Sequence, residues 1–246
     1  MSAKTVWIIL IAVLAGGAAG FILANSINRS ELSNLRNENE RLKSTAPPTG
    51  GTGDAKNDLT AEEISSTIAR ADDNPGDFDT QRNVGVAIYR YGAMKQDEKL
   101  VEQAVKILER ATKLRPDDYD VILSLGNAYF DVGYFSKDNE ALSNARTFYG
   151  KALAAKPDNP DVMTDLGLTY FLQTPPDYDN ALSEFQKSLA KNPKHEKTLQ
   201  FIVQTLIKQN KSSEASEYLE RLRTVNPKNQ SIGELTSMLS SSQPAG

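Results

Sequence analysis

Residues 124–130 read SLGNAYF and residues 145–157 read ARTFYGKALAAKP. In the first stretch Leu125-Gly126 and Tyr129 lie three or four positions apart, and in the second Ala145, Tyr149 and Ala152 do the same. Each spacing places its residues on one face of an α-helix. Gly126 and Ala145 are small enough for two antiparallel helices to cross closely, and Tyr129 and Tyr149 are large enough to fill the gaps beside the crossing. Pro157 cannot continue the second helix and marks the turn to whatever follows.

The pattern recurs on both sides. NVGVAIY at 83–89 and DLGLTYF at 165–171 put Gly85 and Gly167 at 41 residues from Gly126. AVKILERATKLRP (104–116), ALSEFQKSLAKNP (181–193) and ASEYLERLRTVNP (215–227) end, like 145–157, on proline, with Pro116, Pro157, Pro193 and Pro227 spaced by 41, 36 and 34. Four helix pairs are therefore predicted, with Gly85, Ala104, Gly126, Tyr129, Ala145, Gly167, Tyr170, Ala181 and Ala215 as repeat core. From Gly to Pro the first two units are longer than the last by seven residues. Two helical turns keep a face in phase, so the insertion predicts longer second helices starting near Asp97 and Asp138. Thr60 and Glu63 form a capping-box pattern for a helix to about Asp72. Residues 229–240 are predicted as the opposite cap, since a stacked array needs polar ends.

The repeat resembles the tetratricopeptide repeat (TPR), whose 34-residue helix–turn–helix unit carries this Leu-Gly, Tyr, Ala, Phe, Ala, Pro set. The resemblance covers about residues 78–227. The fourth unit departs most, with Val203 at the Gly place and Leu206 at the Tyr place, and the first has Ile88 for the Tyr. It implies an all-α TPR solenoid of about four repeats with capping helices, whose first helices line a concave groove for an extended or helical peptide. Turning the buried stripe about 180° assigns to that groove Arg82, Val86, Tyr89, Arg90, Leu123, Asn127, Phe130, Asp131, Thr164, Leu168, Phe171, Gln200, Gln204 and Ile207. Phe130 and Phe171 have two uses open to them, as anchors for a partner or as packing against the neighbouring repeat. TPR receptors for an acidic chaperone tail use a Lys/Asn/Arg clamp. Arg82 is the lone cation of that kind here, with Leu123 and Thr164 where donors would be needed, so that ligand is rejected.

The first 58 residues are unlike the rest, with six Lys and Arg against five Asp and Glu where the whole chain is at −4. Residues 5–28 contain no charged side chain, and 6–24 are almost wholly apolar. About twenty helical residues span a bilayer core, and Trp7 lies where an indole prefers the interface. The run exceeds the h-region of a cleaved leader, so residues 1–28 are predicted as an uncleaved transmembrane anchor. Flanking cations are nearly balanced; the short amino tail predicts the body outside the cytoplasm. Gly16 and Gly20 form a GxxxG. Leu32, Leu35, Asn39 and Leu42 fit a, d, a, d of two heptads over 29–43, with Glu31 and Glu38 at g and Arg36 and Lys43 at e. Together they predict a parallel homodimer. Residues 44–58, rich in Pro and Gly, read as a flexible linker of about 20 Å reach, and 59–243 as the solenoid domain.

Composition excludes much else. The chain has no cysteine and one histidine, and a net charge of −4, which argues against thiolate or His-cluster metal sites and against nucleic acid as partner. No nucleotide-loop, nucleophile-elbow, zinc-protease or EF-hand pattern occurs. Asp72-Asp73 and Asp117-Asp118 read as helix-capping turns, and His195 as an exposed first-turn residue. No catalytic residue, metal or cofactor is predicted. The expectation is a non-enzymatic scaffold or assembly factor that binds a protein partner. Its layout is similar to that of bacterial inner-membrane TPR subunits of cytochrome c maturation systems, and of TPR factors for secretion, pili or outer-membrane assembly. The lipoprotein members among such factors are excluded by the missing cysteine, as is the cytoplasmic-facing TPR family that ends in a cysteine metal module. The alternative is a structural membrane spacer that self-associates through anchor and zipper.

Overall fold

The computed structural model describes residues 59–242. The anchor over 1–28, the 29–43 zipper, the 44–58 linker and the seam residues Gly16, Gly20, Leu32, Leu35, Asn39 and Leu42 lie outside the described residues. Among the described residues no helix is long and apolar enough to cross a membrane.

Ten helices follow one another within the described residues: α1 (Ala61–Asp73), α2 (Phe78–Lys95), α3 (Glu98–Leu114), α4 (Tyr119–Ser136), α5 (Asn139–Ala155), α6 (Pro160–Leu172), α7 (Tyr178–Lys191), α8 (Glu196–Lys208), α9 (Ser212–Val225) and α10 (Ile232–Ser242). Contacts are densest within the pairs α2/α3, α4/α5, α6/α7 and α8/α9, and each second helix also packs on the next first helix. First helices meet directly at α2/α4 and α6/α8, while α1 covers one end and α10 packs on α8 and α9 at the other. All inward apolar surface is thus shared between sequence neighbours, the one-dimensional logic of a solenoid.

The small residues sit at the crossings. A Cβ on Gly85 would lie 2.8 Å from Leu108, one on Gly126 3.1 Å from the Tyr149 ring, and one on Gly167 2.5 Å from the Phe185 ring. Leu108, Tyr149 and Phe185 are fully buried at these crossings, each contributing about 2–3 kcal/mol of burial. Ala104, Ala145, Ala181 and Ala215 are also fully buried. Tyr129 and Tyr170 differ from expectation in being only half-buried. The Tyr129 hydroxyl donates to Glu109 while its ring stacks on Phe148, and Arg146 lies over the Tyr170 ring. A phenol keeps its polar tip where a partner or water can reach it, so these rings lie at the edge of the core.

The insertion lengthens both helices of a pair, not the second alone. The first helices α2 and α4 have 18 residues against 13 in α6 and α8. The second helices α3 and α5 have 17 against 14 in α7 and α9. A second pair of glycines permits this. Gly92 and Gly133 lie against the first turns of α3 and α5, where a Cβ would sit 3.1 Å from the Val101 nitrogen and 3.0 Å from the Leu142 nitrogen. The chain then reverses through Gln96 and Lys137, both at φ 55°, into the caps Asp97 and Asp138, whose carboxylates accept from the Leu100 and Glu140 amides. The third unit has no such glycine. Its first helix stops at Leu172, and Pro175-Pro176 occupy the longer loop to α7.

Candidate functional site

The inner wall is made by the exposed sides of α2, α4, α6 and α8. Of the fourteen groove residues expected there, Arg90 is exposed, and Arg82, Val86, Leu123, Asn127, Phe171, Gln200 and Gln204 are half-buried and reach the surface. Arg82 lies 5.6 Å from the Phe78 ring and 3.8 Å from Asp79. Asn127 accepts a 3.0 Å hydrogen bond from the Tyr149 hydroxyl, which holds its amide on the wall. Phe171 packs on Tyr178 at 5.6 Å and on Phe201 of the next repeat at 6.3 Å.

The other six, Tyr89, Phe130, Asp131, Thr164, Leu168 and Ile207, are buried, a correction to the open groove read from the sequence. Phe130 is sealed against Tyr149 with ring centroids 6.4 Å apart. Thr164 is fully buried, its hydroxyl 2.6 Å from that of Thr198 and 3.1 Å from that of Ser188. Tyr89 and Asp131 bridge α2 and α4, the Tyr89 hydroxyl donating to Asp131 Oδ2 at 3.1 Å. Successive first helices approach closely enough at α2/α4 and α6/α8 that residues aimed inward meet the neighbouring repeat before they meet solvent. Leu168 and Ile207 are buried for the same reason.

Sequence reading missed the polar groups that join these helices. Lys197 of α8 donates to Asp165 Oδ1 of α6 at 2.6 Å, both residues buried. Two residues before Lys197, His195, at the N-cap position of α8, is 15% exposed at its side chain and not on the surface as expected. Its Nε2 lies 3.0 Å from Asp161 Oδ1 and its Nδ1 2.6 Å from Thr198 Oγ1. The His195 contact holds the Asp161 carboxyl below its ordinary range against the opposing effect of burial. Thr198 and Ser188 complete a hydroxyl cluster that ends on the Pro160 carbonyl. The signal available was the coincidence of Asp161, Thr164 and Asp165 on one face of α6 with His195, Lys197 and Thr198 at the start of α8.

The Asp131 carboxyl is pushed up to about 7, chiefly by burial, with Asp165 adding to the rise and the Tyr89 hydrogen bond and Lys197 opposing it. Burial and the Asp131 charge raise the Tyr89 hydroxyl well above its ordinary value, so it stays a donor. The wall offers side-chain recognition through the Arg82 guanidinium, the Asn127 and Gln204 amides and the Phe171 ring. Among the described residues no group of three His, Cys, Asp or Glu side chains is placed to hold a metal.

A stack of antiparallel helix pairs in which each pair packs on the next defines the class of helical-repeat solenoids. The fold is that of a TPR repeat protein: residues 177–239 match the family model of the tetratricopeptide repeat, and solved structures, a TPR protein among them, share the architecture. A MamA fragment of Desulfovibrio magneticus RS-1 is 17% identical, covers 69% of this chain and 86% of its own, and has a TM-score of 0.55. A thermophilic TPR protein of Thermus thermophilus is 17% identical over 73% of this chain and 88% of its own, with a TM-score of 0.51. PilF of Pseudomonas aeruginosa is 19% identical over 67% and 70%, also at 0.51. Likeness at this identity is likeness of fold. No curated protein matches the chain.

Proposed function

We propose that this protein is a non-enzymatic, membrane-anchored scaffold that holds a partner protein on its first-helix wall. The observation that carries the reading is the placement of Arg82, Asn127, Phe171 and Gln204 at the surface of four successive first helices. These side chains supply a cation, two amides and an aromatic ring along one face, a mixture suited to a peptide or helix. The uncharged stretch at 5–28 supports a membrane anchor, and the reading sets that anchor in a bacterial inner membrane with the body outside the cytoplasm. The GxxxG and heptad residues support a parallel dimer. Burial of Tyr89, Phe130, Asp131 and Thr164 narrows the groove and favours, as the second reading, a spacer that associates only with itself.

Pull-down of the full-length chain from detergent-solubilised membranes separates the two. The scaffold reading expects one partner in stoichiometric amount, lost on Asn127→Arg together with Gln204→Arg. Recovery of the chain alone supports the spacer and contradicts the scaffold.

A further inference from the structure

His195 is the one histidine of the chain, and its ring joins two first helices. It stands at the head of α8, with Thr198 in the first turn of that helix and Asp161 in the first turn of α6. The protons of the surrounding cluster set the form of the ring. Thr164 Oγ1 and Ser188 Oγ donate to the Pro160 carbonyl at 2.7 and 2.9 Å, because a carbonyl only accepts. Thr198 Oγ1 lies 2.6 Å from the first of these oxygens and 2.7 Å from the second, so its single proton is spent between them. The 2.6 Å contact of Thr198 Oγ1 with His195 Nδ1 then takes its proton from the ring. On the other side Nε2 lies 3.0 Å from Asp161 Oδ1. The Asp161 carboxyl is held below its ordinary range, first by this contact, and is an acceptor at neutral pH. Both ring nitrogens therefore donate, which only an imidazolium can do.

We propose that His195 is a proton-dependent clasp between α6 and α8, complete when its ring is an imidazolium and short of one contact when the ring is neutral. A neutral ring keeps one N–H. With that proton on Nε2, Thr198 must turn its hydroxyl to Nδ1 and release Thr164 and Ser188. With it on Nδ1, a bare Nε2 faces the Asp161 carboxylate. Either loss falls on the seam of three helices, since Thr164, Ser188 and Thr198 come one each from α6, α7 and α8 and are fully buried. The other charged groups at this seam are Asp165 of α6, held by Lys197 of α8, Lys191 of α7, paired with Asp158, Lys194, and Glu196 of α8, which accepts from Asn226 and Asn229. Antiparallel packing brings the end of α9 and the start of α10 beside them, with Arg221 over the Tyr218 ring, Arg223 on Glu220 and Thr236, and Glu234. Asp161 contributes stability that is lost as pH falls below its ordinary 3.8. The ring contributes while it holds both protons, and that stability is lost as pH rises through the range of an imidazole, about 6.5 in water. The clasp is therefore complete at about pH 5–6 and incomplete in alkali. It does not depend on the wall being the partner face.

The test follows the ring by nitrogen-15 NMR in the full-length chain, labelled at histidine and held in detergent, from about pH 5 to pH 9. With a single histidine the ring signals need no assignment. At pH 5.5 both ring nitrogens should carry protons. As the ring loses one, the methyl signals of Thr164 and Thr198 should shift with the same midpoint. The methyl of Thr205, buried further along α8 with its hydroxyl on the Phe201 carbonyl, should stay where it is. A ring that carries one proton at pH 5.5, that keeps both at pH 9, or that titrates without moving Thr164 and Thr198 overturns the proposal. Urea melts of the same chain give a second readout. His195→Gln cannot titrate, and it should lower the folding constant about tenfold more at pH 5.5 than at pH 8.5, the worth of a hydrogen bond to a charged group. The Asp131 carboxyl titrates in both chains, so its effect cancels in the comparison. An equal loss at the two pH values would leave His195 a structural residue and refute the clasp.

Discussion

Gly167→Ala and Gly150→Ala make the same chemical change inside a helix and are expected to act with opposite sign. Alanine exceeds glycine in helix propensity by about 1 kcal/mol, and that gain is available wherever a methyl group has room. Gly150 has it: no atom lies within 4 Å of the added Cβ on the exposed side of α5. At Gly167 the Cβ would sit 2.5 Å from one Phe185 ring carbon, 2.7 Å from another and 3.1 Å from the Ala181 carbonyl oxygen. The ring has nowhere to retreat, because it is fully buried and stacked on Phe201 at 6.2 Å. Overpacking of this kind costs about 1–3 kcal/mol, so the net change for Gly167→Ala is a loss of about 2 kcal/mol at the upper end of that range. For a body of this size each kcal/mol moves Tm by about 2–4 °C. Thermal melts by circular dichroism should therefore place Gly150→Ala a few degrees above the parent and Gly167→Ala well below it. A stabilised Gly167→Ala would show that α6 and α7 do not cross at this glycine, and the repeat register would be wrong.

Asp131→Asn should stabilise the fold above neutral pH. The folded carboxyl titrates at about 7 against an ordinary 3.8, so the parent loses stability as pH rises from about 4 to 7 and the deficit then levels off, at up to about 4 kcal/mol. Urea melts at pH 4.5 and 8 check this: the advantage of the variant should be present at pH 8 and largely gone at pH 4.5, and equal advantage at both would refute it. Gln81→Leu removes donations to the Ala71 and Asn74 carbonyls and the acceptor for Arg110; it should cost about 2 kcal/mol and speed amide exchange in α1 without touching α6–α9. Asp97→Ala and Asp138→Ala each delete a side-chain cap and should cost about 1 kcal/mol apiece, adding in the double variant.

Elements and register were legible in the sequence because the repeat is carried by residues with one steric use. A Cβ would press on the Tyr149 ring at Gly126 and collide with the Phe185 ring at Gly167, Pro116 and Pro157 end helices, and their spacing reports the pairs. The starts of the second helices beside Asp97 and Asp138 were legible from the same spacing. The division of the insertion was not, because Gly92 and Gly133 act through contacts with the next helix that no spacing rule counts. The wall was half legible. The inward side of a first helix can be read from periodicity, and Arg82, Asn127, Phe171 and Gln204 follow from it. Whether that side meets solvent depends on how closely α2 approaches α4 and α6 approaches α8, which is set by packing between units and has no signature within one. Tyr89, Asp131 and Thr164 were misread on that account, and Phe130 takes the packing use of the two left open to it. His195 was misread for a related reason, its partners Asp161 and Thr198 lying on two different helices.

The most direct test of the first-helix wall as the partner face is site-specific photocrosslinking of the full-length protein in the cells that express it. A benzophenone amino acid at Asn127 or Gln204 should trap one and the same protein, while the same group at Ser143 or Glu217, exposed on the second helices, should trap none of it. Equal trapping from both sets of positions, or wall adducts consisting only of another copy of this chain, would contradict it.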